Sequence, residues 1–130
     1  MTTRDVVVDG WPAPKGYSNG RIGEGRVLHV AGQIGWTPDG TFVAKDLVGQ
    51  FAQALDNVLA VVRAAGGAPT DLATMTVFVT DIPAYRACTR ALGPIWRERL
   101  GKHYPAMALV GTTMLVEPEA LIEIQAVAYL

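Results

Sequence analysis

Few side chains in this sequence can do covalent chemistry, and their surroundings remove most of the candidates. Ser18 is the only serine, and no G-x-S-x-G elbow surrounds it. The threonine hydroxyls have neither an N-terminal position nor a nearby base. The single cysteine, Cys88, falls on the apolar side of an amphipathic segment, where a buried, inert thiol is expected. His29 sits in a strand-like run, where a hydrogen-bonded sheet role is the default. His103 precedes Tyr104-Pro105 in a loop, where exposure is the default. Neither belongs to an H-E-x-x-H or Cys/His ligand spacing, so no metal site is expected. The glycine-rich stretch Gly20 to Gly25 precedes a strand rather than a helix. That is the reverse of the order needed for dinucleotide binding, so it reads as turns; there is no Walker A pattern either. What remains is a carboxylate, Glu123, set between Ile122 and Ile124. In an extended segment Ile122, Ile124, Ala126 and Ala128 point one way, and Glu123, Gln125, Val127 and Tyr129 the other. A carboxylate on such a half-polar face can activate water, or can serve only as a hydrogen-bonding group at an interface. Both readings stand.

The elements that position Glu123 follow from periodicity. Arg26–Ala31 is rich in β-favouring residues between glycines and predicts a strand, with a shorter one at Arg4–Val8. Leu47, Phe51, Leu55, Val58, Leu59 and Val62 recur at helical spacing and predict a helix from Leu47 to Ala65. Asp46 is its N-cap and Gly66-Gly67 its stop. Thr74–Thr80 predicts a buried strand. Asp81 caps a second helix with Pro83 in its first turn, apolar positions at Tyr85, Cys88, Leu92, Ile95 and Trp96, and Gly101 at its end. Pro94 lies inside that helix and predicts a kink or break at Gly93-Pro94. Ala106–Thr113 and Ala120–Tyr129 predict the last two strands. This order predicts the α+β class: a single domain over residues 1–130, with a mixed sheet, two helices on one face, and the other face uncovered in one chain.

Composition narrows the partners. Half of the 130 residues are hydrophobic and mean hydropathy is +0.24, a surplus that points to a buried subunit interface. Net charge is -1, so no basic field for nucleic acid is expected. Arg97 and Arg99 fit a solvated helix C-terminus, which the helix dipole favours. One cysteine excludes a disulfide within the chain and points to a reducing compartment. No signal-peptide pattern and no apolar stretch long enough for a bilayer is present, so a soluble, cytoplasmic protein without membrane contacts is expected.

Several segments together resemble the Rid (YjgF-like) family. They are Pro14-Lys15-Gly16-Tyr17-Ser18, Val30-Ala31-Gly32-Gln33-Ile34, Ala54-Leu55-Asp56-Asn57-Val58, Thr76-Val77-Phe78-Val79-Thr80-Asp81, Tyr104-Pro105-Ala106, and Ile122 through Ala128. They span nearly the whole chain in the family's order. The resemblance implies a chorismate-mutase-like fold and a homotrimer whose sheets face inward. It also implies small-molecule clefts between subunits, with no metal or cofactor. The best-known members hydrolyse reactive imines or enamines made by pyridoxal-phosphate enzymes, giving a ketoacid and ammonia.

Residue by residue, the resemblance implies Glu123 as the carboxylate that orients or activates water, and Tyr17, Ala31, Gly32, Thr89 and Met107 as the substrate-binding positions. Tyr17 would donate a hydrogen bond or pack over a ligand, and the Gly32 N–H would hold an oxygen. Packing at an interface and backbone geometry are their plainer readings. Trp36 either walls the cleft or is an ordinary loop tryptophan. Three positions depart from the family. Deaminases carry a carboxylate-binding arginine after the Pro-Ala pair, where this chain has Met107. Ala31 replaces a frequent hydroxyl residue, and Thr89 a frequent asparagine. The expectation is a cofactor-free hydrolase or deaminase of imine, enamine or related metabolites that is not an efficient 2-iminocarboxylate deaminase. The alternative is a trimer that binds a small metabolite without turning it over. An RNA-directed activity, reported for some family members, is disfavoured by the charge balance.

Overall fold

The apolar stripe that begins at Leu47 folds as its spacing requires. In the computed structural model, which describes residues 2–130, helix α1 spans Leu47–Ala64. The Asp46 carboxylate accepts from the Gly49 N–H at 3.1 Å, satisfying one of the free donors of the first turn. At the other end Gly66 takes φ 88°, a left-handed conformation that glycine adopts without a Cβ clash.

Helix α2 spans Ile82–Leu100, capped by Asp81 and ended at Gly101. The break that the sequence predicts at Gly93-Pro94 is absent; the helix runs through Pro94. A proline crowds the Cβ of the residue before it, and Gly93 has none. Leu92, Trp96 and Leu100 also bury themselves on both sides of the proline, so packing holds the helical path.

Strands β1 (Thr3–Val6) and β2 (Gly20–Gly23) form a small antiparallel pair. β2 corrects the reading of this glycine-rich stretch as turns. Gly23 serves close approach instead: a Cβ there would lie 2.4 Å from the Tyr129 ring. The Arg21 guanidinium donates to Thr3 Oγ1 across the pair at 3.1 Å.

The main sheet contains β3 (Val27–Ile34), β4 (Leu72–Val79), β5 (Ala106–Gly111) and β6 (Ile122–Tyr129), in the order β3-β6-β4-β5. β4 and β5 are parallel and the other neighbours antiparallel, so the sheet is mixed. A 3-10 turn at Pro69–Asp71 leads into β4. Both helices pack on one face, where Leu55, Val58, Val62 and Leu92 meet Met75, Val77, Ile122 and Ile124. Each such side chain contributes about 1.5–3 kcal/mol on full burial. The strand expected to be buried, β4, buries Met75, Val77 and Val79 on that face, while Thr74 on the other is exposed. The opposite face is open, with Gln125 exposed and Val27 and Val110 at 50% and 42% exposure. Among the described residues, no helix is long and apolar enough to cross a membrane.

Candidate functional site

Glu123 owes its setting to a fault in the strand ladder. β3 pairs Val30 with Ala126 and then Gln33 with Ile124. Ala31 and Gly32 therefore stand together opposite Gln125 alone. Such a bulge leaves the extra residue out of the ladder and re-aims what lies beside it. The Gln33 side chain donates to the Ala31 carbonyl at 3.1 Å and braces the bulge. A Cβ on Gly32 would fall 2.3 Å from Glu123 Oε1 and 2.8 Å from its Cδ. The carboxylate thus lies directly on the Gly32 backbone, in space that only glycine leaves free. Together with Trp36, Val116 and Glu117 they line a concavity of about 300 Å³. Two carboxylates and no Lys or Arg face it, so its field favours a neutral or cationic guest over an anion.

The walls of this concavity are fixed from behind by two polar residues of α1. Asn57 donates to the carbonyls of Ile34 and Trp36 at 3.0 and 2.8 Å, which holds the exit of β3. Buried Gln50 donates to the Glu119 carbonyl at 3.0 Å and accepts from the Leu121 N–H at 2.8 Å, which fixes the entry to β6. Sequence reasoning assigns neither a positioning role. The available signal is a polar residue beside an apolar helical stripe, which must find partners if buried. Trp36 packs against Phe42 with ring centroids 5.9 Å apart.

Met107 lies elsewhere. It pairs in register with buried Met75, and Leu109 with Val77, so both point to the helix-covered side of the sheet. There they form part of a separate hollow of about 290 Å³ with Phe51, Leu92, Trp96 and Tyr104. Trp96 stacks on Tyr104 at 5.9 Å and 3° between planes, and donates to the His103 carbonyl at 3.0 Å. Tyr17 is carried past this hollow by its neighbours. Gly16 lines it, and Ser18 is clamped beside β5, its N–H bonded to the Pro105 carbonyl at 2.9 Å and its hydroxyl to the Tyr104 carbonyl. Tyr17 itself opens onto an adjoining, wider hollow that shares Tyr104.

The structure therefore brings Ala31, Gly32 and Glu123 together, places Tyr17 beside the Met107 hollow, and leaves these two groups apart within one chain. Thr89 joins neither; it is exposed on α2, its hydroxyl turned to the Arg86 carbonyl at 3.4 Å. The only serine is a buried clamp. His103 is half-buried rather than exposed: its Nε2–H donates to the Leu72 carbonyl at 2.7 Å. Burial holds its pKa below the usual histidine value, a shift partly opposed by that hydrogen bond. His29 lies exposed on the open sheet face, paired with Val127. Arg99 makes a two-point pair with Asp56 at 2.6 and 3.2 Å and is not simply solvated. Among the described residues, no three His, Cys, Asp or Glu side chains gather as a metal site.

Comparison with known proteins agrees with this fold. Residues 11–130 match the family described as Endoribonuclease L-PSP. A RutC family protein of Pyrococcus horikoshii is 31% identical over 125 residues, covering 95% of each chain. The crystal structure of a Rid-family protein of unknown function from Yersinia pestis matches with a TM-score of 0.85 at 32% identity, over 100% of both chains. The chain belongs to the Rid (YjgF-like) family. An Escherichia coli K12 relative, 29% identical over 126 residues and covering 97% of each chain, is named 2-iminobutanoate/2-iminopropanoate deaminase.

Proposed function

We propose that this protein is a cofactor-free, Rid-type hydrolase of imines, enamines or related small metabolites. In this reading residues 1–130 act as one domain in a cytoplasmic homotrimer, with clefts between subunits. The observation that carries it is the Glu123 carboxylate resting on the bulged Gly32 backbone in an open concavity. Glu123 takes a proton from a water as that water attacks the C=N carbon. The proton then passes to nitrogen, and as the C–N bond breaks and ammonia leaves, the Glu123 carboxylate takes the hydroxyl proton, which leaves a carbonyl. The Gly32 N–H holds the oxygen on which charge develops. The paired carboxylates Glu117 and Glu123 favour the protonated, cationic form of the imine, which is the better electrophile.

Two features support the trimer. The open sheet face leaves Val27 and Val110 substantially exposed, and the Glu123 and Met107 groups need a second chain to meet. Met107 offers no charge, and losing a buried charged hydrogen bond costs about 2–5 kcal/mol. A coupled amino-acid oxidase assay should therefore find 2-iminobutanoate and 2-iminopropanoate hydrolysed little above background, while a panel of imines lacking a carboxylate yields turnover. Glu123→Gln should abolish that turnover in an intact assembly of unchanged stability. An active, intact Glu123→Gln protein would remove Glu123 as the base. Binding without turnover across the whole panel would favour the non-catalytic reading.

A further inference from the structure

The wide hollow onto which Tyr17 opens has a volume of about 700 Å³ and carries the opposite charge to the Glu123 concavity. Arg4, Arg21 and Lys102 line it against one carboxylate, Asp5. Among the described residues none of these three cations makes an ion pair. Arg21 is held in place by hydroxyls rather than by an acid. Its Nε and Nη2 donate to Thr3 Oγ1 at 3.3 and 3.1 Å, and that buried hydroxyl donates to the Thr70 carbonyl at 3.2 Å. Asp5 lies opposite Arg21 in the β1–β2 register and still makes no ion pair with it. Asp71, next to Thr70, gives its carboxylate to the Thr2 hydroxyl and the Ala68 N–H. Arg21 is therefore positioned without being neutralised. His103 adds no charge near neutral pH, because burial lowers its pKa and the Arg21 charge acts in the same direction.

The rest of this hollow is apolar and braced. Ala13, Pro14, Tyr17, Leu100 and Tyr104 line it. Tyr104 is fixed by its stack on Trp96, and Ser18 clamps the Tyr104 and Pro105 carbonyls. Such a wall accepts a flat apolar body, while the cations accept a compact anion. Three cations against one carboxylate leave an excess of positive charge that suits a dianion better than a monoanion. A phosphomonoester is close to a dianion at neutral pH and offers several acceptor oxygens to a guanidinium.

We propose that this hollow binds small aromatic phosphomonoesters, the phosphate held by Arg21 with Arg4 and Lys102 beside it, and the ring against Tyr17 and Tyr104. The site goes beyond the hydrolase reading and does not need it. Glu123 and Gly32 line another concavity, so either assignment can stand without the other.

Phenyl phosphate tests this by isothermal titration calorimetry on the full chain at about pH 8, where the ester carries close to two charges. Phenyl sulfate is the singly charged probe of similar shape, and inorganic phosphate is the probe without the ring. The unmodified protein should bind phenyl phosphate about tenfold tighter than either. Lys102 is exposed, and Lys102→Gln should weaken binding about threefold, the usual scale of an exposed charge. Arg21→Gln should weaken it about tenfold or more. Circular dichroism checks that this variant keeps its fold; should it unfold, Lys102→Gln and the probe series decide alone. Arg86→Gln, an exposed change on α2 outside the hollow, should bind as the unmodified protein does. No binding of phenyl phosphate at millimolar concentration would overturn the assignment. Equal binding of ester and sulfate, or unchanged affinity in Lys102→Gln, would do the same. A loss in Arg86→Gln as large as in Lys102→Gln would also overturn it, by showing attraction to surface charge in general.

Discussion

The two faces of the main sheet use the same strands for different ends. On the covered face Met75, Val77, Val79, Ile122 and Ile124 are all at 1% exposure or less, closed over by α1 and α2. On the other face their immediate neighbours Thr74, Thr76, Phe78, Glu123 and Gln125 are partly or fully exposed. Along β6 the alternation is strict, so Glu123 stands between two of the best-buried side chains in the molecule. The difference shows how a carboxylate is placed by its neighbours, with no hydrogen bond to its own side chain among the described residues. The core fixes Ile122 and Ile124, and the strand period then fixes Glu123. The bulge in β3 supplies the rest by clearing the space in which the carboxylate lies.

The contrast can be broken most forcefully from the covered side. Ile124→Ala should destabilise the protein by about 2–5 kcal/mol, the usual cost of a cavity in a packed core, as read by urea unfolding. A loss below 1 kcal/mol would mean that the covered face is less tightly packed than described. On the open side, Gly32→Val should do more harm to chemistry than to stability. Its side chain must displace the Glu123 carboxylate, so turnover of whichever imine is accepted should vanish while stability falls by about 1–3 kcal/mol. Retained turnover would dissociate the bulge from the site.

A smaller effect comes from His103, whose ring is hydrogen-bonded to the first residue of β4. Its folded-state pKa is depressed by burial, so the unfolded chain binds its proton more readily. Its contribution to stability is complete above the unfolded histidine value of about 6.5 and is lost as pH falls through the lower folded value. Unfolding followed between mildly acidic and neutral pH should show stability rising with pH. His103→Gln should flatten that rise. An unchanged slope would assign the pH dependence to other groups.

Much of this architecture is legible in the sequence where local signals and packing agree. The stripe from Leu47 to Val62, with Asp46 before it and Gly66 after it, defines α1 almost to the residue. Glu123 is placed on the open face by its neighbours alone. Legibility fails where tertiary contacts decide. Gly20 and Gly23 look like turn formers but lie in a strand, and Gly23 lets it pass close to the Tyr129 ring. Pro94 looks like a helix breaker, but Gly93 and the buried residues around it carry the helix through. His103 follows a helix end and precedes a proline, yet it is drawn inward by the Leu72 carbonyl. The division of the candidate positions into two groups depends on strand register and the path of α2, and no spacing in the chain reveals it.

That division makes assembly the central claim, because Glu123 and the Met107 hollow can serve one ligand only if different chains bring them together. Multi-angle light scattering at low micromolar concentration tests this most directly. The account predicts a single species with three times the 13.9 kDa mass of one chain; a stable monomer at that concentration would contradict it.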